Sequence, residues 1–411
     1  MADGNNKADI SRFGTSWDLS QRVPAGFRTL GDAKGSPHIS PERYAPADAS
    51  SGLGLLKHLA GTWEGEGFNL IARPAFNFGT DLFLQLNRTR ETLKFDPIGS
   101  PIPNRGFEQA DIALHGLTYL QRINDLSTGS ALHIEPGIWV RQPNTNAPAE
   151  IAPAGAEMIA RMGSIPHGNA ILAQGIAKRF TGPPTLQVPG NPFHGSSFYS
   201  FNSTPIGAPP TVPATAPPVF SATGSSQART AAVNGLTVFD EYNLSVPDSP
   251  ATTRTSPVPP GITQAIVNDP IILLQDVVNS QVKDGYTFEG TVLNIATVRE
   301  IDFHLAKDSP LTGPTVATTV AEFSGAPDNI SFLIDDRTPP APSGNAQTAI
   351  IYATFWIERV THKKLGHSFM QLQYAQMVTL NFPVRSLVNN GVFVKLGWPH
   401  ITVATLRKGF G

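Results

Sequence analysis

Most of the apolar residues in this chain recur at the two-residue period of a β-strand. The clearest run is 370–382, where Met370, Leu372, Tyr374, Val378, Leu380 and Phe382 share one face and Gln371, Gln373, Thr379 and Asn381 the other. Residues 82–95 alternate as well, but Leu82, Leu84 and Leu86 are out of phase with Leu93 and Phe95. That parity switch predicts a bulge near the middle of one long, bent strand. Further strands are predicted near 112–123, 130–141, 156–163, 168–177, 286–304, 347–361 and 399–408, separated by turn-rich pieces such as Ser127-Thr128-Gly129. Helical spacing occurs at 52–60, through Leu53, Leu56 and Leu59, and again at 269–281. In the second segment Asp269 suits a cap, Pro270 suits the first helical position, and Ile272, Leu273 and Val277 make an apolar stripe. Many strands, few helices and mostly short connections predict an all-β fold, an antiparallel barrel or sandwich of nine or ten strands. Closure into a barrel would remove the exposed edges and leave room for one small ligand.

Composition supports the strand reading. Glycine and proline number 37 each among 411 residues, which penalises long helices. The prolines are uneven: ten fall between 183 and 218 and five between 247 and 260. Residues 180–262 therefore read as a long Pro-rich insertion, with one strand expected at 235–245. Residues 1–50 read as an extended, polar N-terminal arm. The remainder of 51–411 is expected to build a single barrel domain around the insertion. The N-terminus lacks an apolar signal segment, so a cytoplasmic location is expected. No apolar run approaches a membrane span, and a net charge of −2 gives no nucleic-acid footprint, so neither partner is expected.

Zero cysteines exclude disulfides, thiolate metal sites and covalently attached haem. No phosphate-binding loop, zinc helix, calcium loop or hydrolase elbow is present. The ten histidines are scattered, and three stand out. His133 and Glu135 share a strand face, either as a polar pair on a pocket wall, with the carboxylate orienting the imidazole, or as a buried hydrogen-bonded pair that steadies the sheet. His167 sits in a turn, Ser164-Ile165-Pro166-His167-Gly168, either at a cavity mouth or simply in solvent. His400 shares a face with Trp398, Thr402, Ala404 and Leu406, where small residues leave room for a planar group beside the imidazole; a satisfied core histidine is the other reading.

Gly61-Thr62-Trp63-Glu64-Gly65-Glu66-Gly67 fits the Gly-x-Trp-x-Gly-x-Gly signature of nitrobindins. Leu132-His133-Ile134-Glu135-Pro136-Gly137 resembles that family's His-x-Glu-x-Gly strand, and Pro166-His167-Gly168 followed by Gln174-Gly175 resembles its later hairpin. His400 falls where the family's last strand carries a haem-ligating histidine. The resemblance covers the strands alone; the arm and the insertion have no counterpart in the family. It implies a lipocalin-like closed barrel holding haem b, with His400 on the iron and Thr62, Trp63, His133, His167 and Trp398 around the cofactor. It also implies binding of NO, or conversion of peroxynitrite to nitrate; a peroxidase-like activity would follow if His133 or His167 faced the distal side. A haem-free carrier or enzyme for a small apolar molecule is the competing expectation, and docking of a partner by the Pro-rich insertion is a third.

Overall fold

The alternating segments become ten long strands: β1 (Gly61–Ala75), β2 (Thr80–Pro97), β3 (Ile112–Asp125), β4 (Ala131–Gln142), β5 (Ala156–Ile165), β6 (Asn169–Thr181), β7 (Tyr286–Ala296), β8 (Ile350–His362), β9 (Ser368–Arg385) and β10 (Phe393–Lys408). The structure, a computed structural model, describes residues 52–75, 80–104, 111–146, 149–150, 152–165, 169–187, 229–233, 236–249, 253–297, 334–335, 343–344, 347–348, 350–385 and 393–409. The strands pair antiparallel in the order β7-β8-β9-β10-β1-β2-β3-β4-β5-β6, and β6 pairs back onto β7 from Thr181↔Glu289 to Gln174↔Ala296. The sheet therefore closes on itself as an antiparallel ten-stranded β-barrel, and closure removes the unpaired edges.

One end of the barrel is capped. Leu53, Leu56 and Leu59 are spaced by three residues, the period of a 3-10 helix, and Gly54–His58 adopts that form. Its leucines pack with Trp63, Phe95, Leu117, Trp139, Phe355 and Leu406 inside the barrel. Three hydrogen bonds fix the cap: Trp63 Nε1 donates to the Leu59 carbonyl at 2.6 Å, the Leu55 N–H to Glu157 Oε2 at 2.7 Å, and the His58 Nδ1 and Thr291 hydroxyl meet at 2.9 Å.

The parity switch in β2 has a different origin from the bulge expected of it. The β1–β2 ladder runs without interruption from Gly61↔Phe95 to Arg73↔Phe83, and its one shift lies between Arg73 and Ala75. What changes is the apolar side of the wall. Leu93 and Phe95 point inward, whereas Leu84 and Leu86 point outward into a second core with Phe68, Leu70, Tyr352, Met377, Ile401 and Val403. That outer core is covered by α1 (Gln264–Asn268), α2 (Ile271–Lys283) and Tyr242. Residues 253–255 complete it: Leu84 donates to the Thr253 carbonyl at 3.1 Å, and Thr255 donates back to Leu84 at 3.0 Å. The segment thus satisfies the stretch of β2 that runs beyond its pairing with β3.

α2 begins one residue later than the capping pattern suggests. Pro270 is its capping residue, and Asp269 Oδ1 accepts the Ile271 N–H at 3.1 Å. The strand expected over 286–304 ends at Ala296, and 298–304 lie outside the described residues, as do the arm at 1–50 and 188–228 of the insertion. Within the described part of the insertion, a hairpin joins Arg229–Val233 to Leu236–Phe239.

The outward core makes a testable contrast between two side chains on one face of β2. Leu86 is buried and Arg88 is exposed. Leu86→Ala should cost about 2–5 kcal/mol, while Arg88→Ala, which loses only a surface ion pair with Glu66, should cost about 1 kcal/mol or less; urea unfolding of the two variants measures both.

Candidate functional site

Inward-facing positions at mid-barrel carry polar groups that the alternating pattern would have made apolar. Arg161 (β5) stands at their centre, 1% exposed. Its Nη2 donates to Glu135 Oε1 (β4) at 2.6 Å, its Nε to the Tyr119 hydroxyl (β3) at 3.1 Å, and its Nη1 to Gln376 Oε1 (β9) at 2.7 Å. The Tyr119 hydroxyl also bonds Glu135 Oε1, and His133 Nε2 lies 3.3 Å from Glu135 Oε2. The guanidinium lies 5.2 Å from the Tyr119 ring centroid and 5.6 Å from those of Trp139 and Phe355, so aromatic faces replace part of its lost hydration. A second chain runs alongside. Gln121 donates to the Tyr374 hydroxyl at 2.8 Å, Tyr374 donates to Glu91 Oε2, and Thr89 donates to Glu91 Oε1 at 2.8 Å.

Glycine makes room for this layer. A Cβ at Gly163 would stand 2.3 Å from the Tyr119 hydroxyl, and one at Gly137 would meet the Tyr119 ring at 2.4 Å. One at Gly67 would lie 2.8 Å from Glu91 Oε1.

The two buried carboxylates sit in opposite electrostatic states. Burial raises both, but at Glu135 the Arg161 charge, His133 and Tyr119 outweigh it and hold the group at about 2. Glu91 has hydroxyl donors yet no facing guanidinium, and burial pushes it up to about 7. Glu135 is thus a fixed anion, whereas Glu91 gains and loses its proton near neutral pH.

The layer divides the interior. Toward the cap lie Trp63, Phe95, Trp139 and Phe355, all buried. Trp139 and Phe355 meet edge to face at 5.3 Å, and Phe355 stacks on Tyr374 at 5.2 Å. Toward the far end, one wall is apolar, with Ile165, Ile171, Ile351, Val378 and Leu380, and the other is polar, with Asn69, Asn87, Asp125 and Thr402. Asn87 Nδ2 donates to Asp125 Oδ2 at 2.6 Å, while the buried Oδ1 atoms of Asn69 and Asn87 have no hydrogen-bond partner among the described residues.

The residues singled out from sequence fall on both sides of this layer. His400 faces inward at the far end, opposite Ile71 and Val378, one inward step beyond Thr402, which pairs with Gln376. It is half-buried, as is His133, which stands one inward step beyond Glu135 on the same side of the layer. His133 and Glu135 form the bonded pair expected of them, joined by Arg161. Trp63 lies at the capped end; its register partner on β10 is Lys408, eight residues from His400, about 26 Å along a strand. Thr62 takes the outward register beside it. The backbone of Trp398 pairs with Leu380 at the far end, and its side chain lies outside the described residues, as does His167. The structure thus groups His133 with His400 and separates both from Thr62 and Trp63.

Sequence reading missed Glu91, Tyr119, Gln121, Arg161, Tyr374 and Gln376 as a site. The available signal was a charged residue at apolar parity: Glu91 two before Leu93, and Arg161 two after Ile159. Among the described residues no group of three or more His, Asp or Glu side chains is placed to hold a metal ion.

No protein-family model matches the chain, and no curated protein matches it. Among solved structures the chain is similar to Rv2717c from M. tuberculosis, with 10% identity over 88% of this chain and 98% of that one, at a TM-score of 0.26. At that score the similarity bears on neither the fold nor the function.

Glu91 yields a pH prediction. The folded state holds its proton up to about pH 7, whereas an ordinary carboxyl releases it near 4.5. Over that window the folded state binds more protons than the unfolded one, so rising pH lowers stability, by about 3 kcal/mol in all. Glu91→Gln should remove this decline, and urea midpoints compared at about pH 5 and about pH 8 check it. The Glu135 contribution has the opposite sign: present above about 4.5, lost as pH falls toward 2, and unchanged in that variant.

Proposed function

We propose that this barrel binds a small molecule in the far half of its interior, and that the ligand is haem b held through His400. The observation that carries the reading is the inward, half-buried imidazole of His400 beyond the polar layer, on a strand whose next inward residues are Thr402 and Ala404. These residues suit the group at two points. A single imidazole is a sufficient axial ligand in a chain without cysteine, and Ile351, Val378 and Leu380 offer an apolar wall to a macrocycle. Bound there, haem would supply an iron centre for a small diatomic ligand or peroxynitrite. The chain's own residues would ligate it and exclude water with the apolar wall, while Glu135 stays committed to Arg161. His133, four strands around the barrel from β10, is the other described histidine on this side of the layer.

A second reading is favoured by Asn69 and Asn87. Their buried Oδ1 atoms seek donors that a porphyrin ring does not provide, which suits a haem-free carrier of an organic molecule with one apolar face and hydrogen-bonding hydroxyl or amine groups.

Titration with haemin separates the two. The haem reading expects a Soret band that saturates at one haem per chain and is lost in His400→Ala, with the far-ultraviolet circular dichroism of the sheet unchanged. A Soret band unaltered in that variant would contradict the His400 assignment. No band with the unmodified protein would leave the organic-ligand carrier.

A further inference from the structure

The geometry points to a peripheral docking corner for anionic lipid at the capped end of the barrel, formed by the C-terminus of α2 and the β8–β9 turn. Two of the four exposed large apolar side chains among the described residues meet here: Leu365, 70% exposed, at the tip of the turn, and Val282, 44% exposed, at the end of α2. The two elements are joined by the Lys363 N–H, which donates to the Gly285 carbonyl at 3.0 Å. Lys283, Lys363 and Lys364 are exposed beside these tips, with Arg407 behind them, its guanidinium 3.4 Å from the Phe369 ring centroid. Asp284 is the acid at these tips, and Glu358 on β8 acts on Arg407 behind them, so the tips themselves carry three lysines against one aspartate in a chain whose net charge is −2.

The turn is built to hold its tip outward. His362 Nδ1 accepts the N–H groups of Lys364 and Leu365 at 3.2 and 3.1 Å. Gly366 takes φ +70°, a conformation that side-chain-bearing residues disfavour. The His362 and His367 rings stack at 5.3 Å, and the Tyr286 hydroxyl lies 2.9 Å from His367 Nε2. Lys363, Lys364 and Leu365 therefore project from a rigid base. Positive charge also continues across the cap: after burial, Arg179, Lys57, Lys408 and Arg359 are what lower the His58 pKa.

Lipid fits this corner better than a protein partner. Protein interfaces are depleted in lysine and need a complementary core of about 800 Å² a side. Lysines around two separate exposed aliphatic tips suit an anionic bilayer surface, where the tips enter the headgroup region and the lysines remain with the lipid charges. Such contact needs no spanning segment, and no helix among the described residues is long and apolar enough to cross a membrane. The corner lies at the opposite end of the barrel from His400, so it stands whatever the interior binds.

Vesicle co-sedimentation tests it. The full chain should sediment with phosphatidylserine-containing vesicles at low ionic strength, be released by salt, and ignore pure phosphatidylcholine. Lys363→Ala with Lys364→Ala should weaken partitioning about thirtyfold, at roughly fivefold per lysine. Leu365→Ser should weaken it while leaving retention on heparin unchanged, which separates insertion from plain attraction to a polyanion. Circular dichroism and thermal melting confirm that these surface variants stay folded. No binding to phosphatidylserine vesicles, equal binding to phosphatidylcholine, or vesicle binding unchanged in either variant would overturn the proposal.

Discussion

A guanidinium with almost no solvent exposure sits at the middle of this barrel, and the interior is arranged around its compensation. Removing such a charge from water costs several kcal/mol unless an opposite charge and fixed dipoles replace the lost hydration. Here Glu135, Tyr119 and Gln376 do so through hydrogen bonds, and Trp139 and Phe355 through their ring faces. Those groups come from β3, β4, β8 and β9, so with its own strand β5 one side chain links five of the ten strands. The requirement propagates to residues with no polar role. At Gly163 Tyr119 and Glu135 occupy the space a Cβ would need, and at Gly137 the Tyr119 ring and the Met162 carbonyl do. Removing one partner would strand a buried charge, so the layer holds together as a unit.

The layer also explains why the two halves of the barrel differ. On the capped side, large aromatic side chains fill the space and the 3-10 helix seals it. On the far side lie Ile165, Ile171, Ile351, Val378 and Leu380 with Asn69, Asn87 and Thr402, and His133 and His400 are half-buried. The outer surface is divided in another direction. β1, β2, β8, β9 and β10 carry apolar residues outward, under α1, α2 and Tyr242, while Thr118 on β3, Ile134 on β4 and Leu172 on β6 face solvent. Strands covered on both sides lose the simple alternation that one-sided burial produces.

That loss sets the limit on what was legible in the sequence. The strands were readable because alternation survives locally, as in 370–382, and α2 because Asp269-Pro270 opens an apolar segment, although its buried side is Ile271, Leu274 and Val278 rather than the expected Ile272, Leu273 and Val277. The three-residue spacing of Leu53, Leu56 and Leu59 even carried the period of the helix that forms there. The change of parity in β2 was visible, but its cause lay in α1 and residues 253–255, which sit far away in the sequence, so a local bulge was the natural and incorrect explanation. The bond between His133 and Glu135 was readable from their spacing, whereas Arg161 was not. Its partners lie 42, 26 and 215 residues away, and only strand pairing brings them together. The Gly/Trp motif was legible as a sequence feature, but the structure sets Trp63 against the cap.

The central claim is that the Arg161 layer divides the interior and that a ligand reaches only the side holding His400. Histidine-selective nitrogen NMR during titration with zinc protoporphyrin tests it directly, because His58 at the cap and His400 beyond the layer report on opposite ends. The account predicts a shift at the His400 imidazole with His58 unmoved. A shift at His58 with His400 unmoved would contradict it.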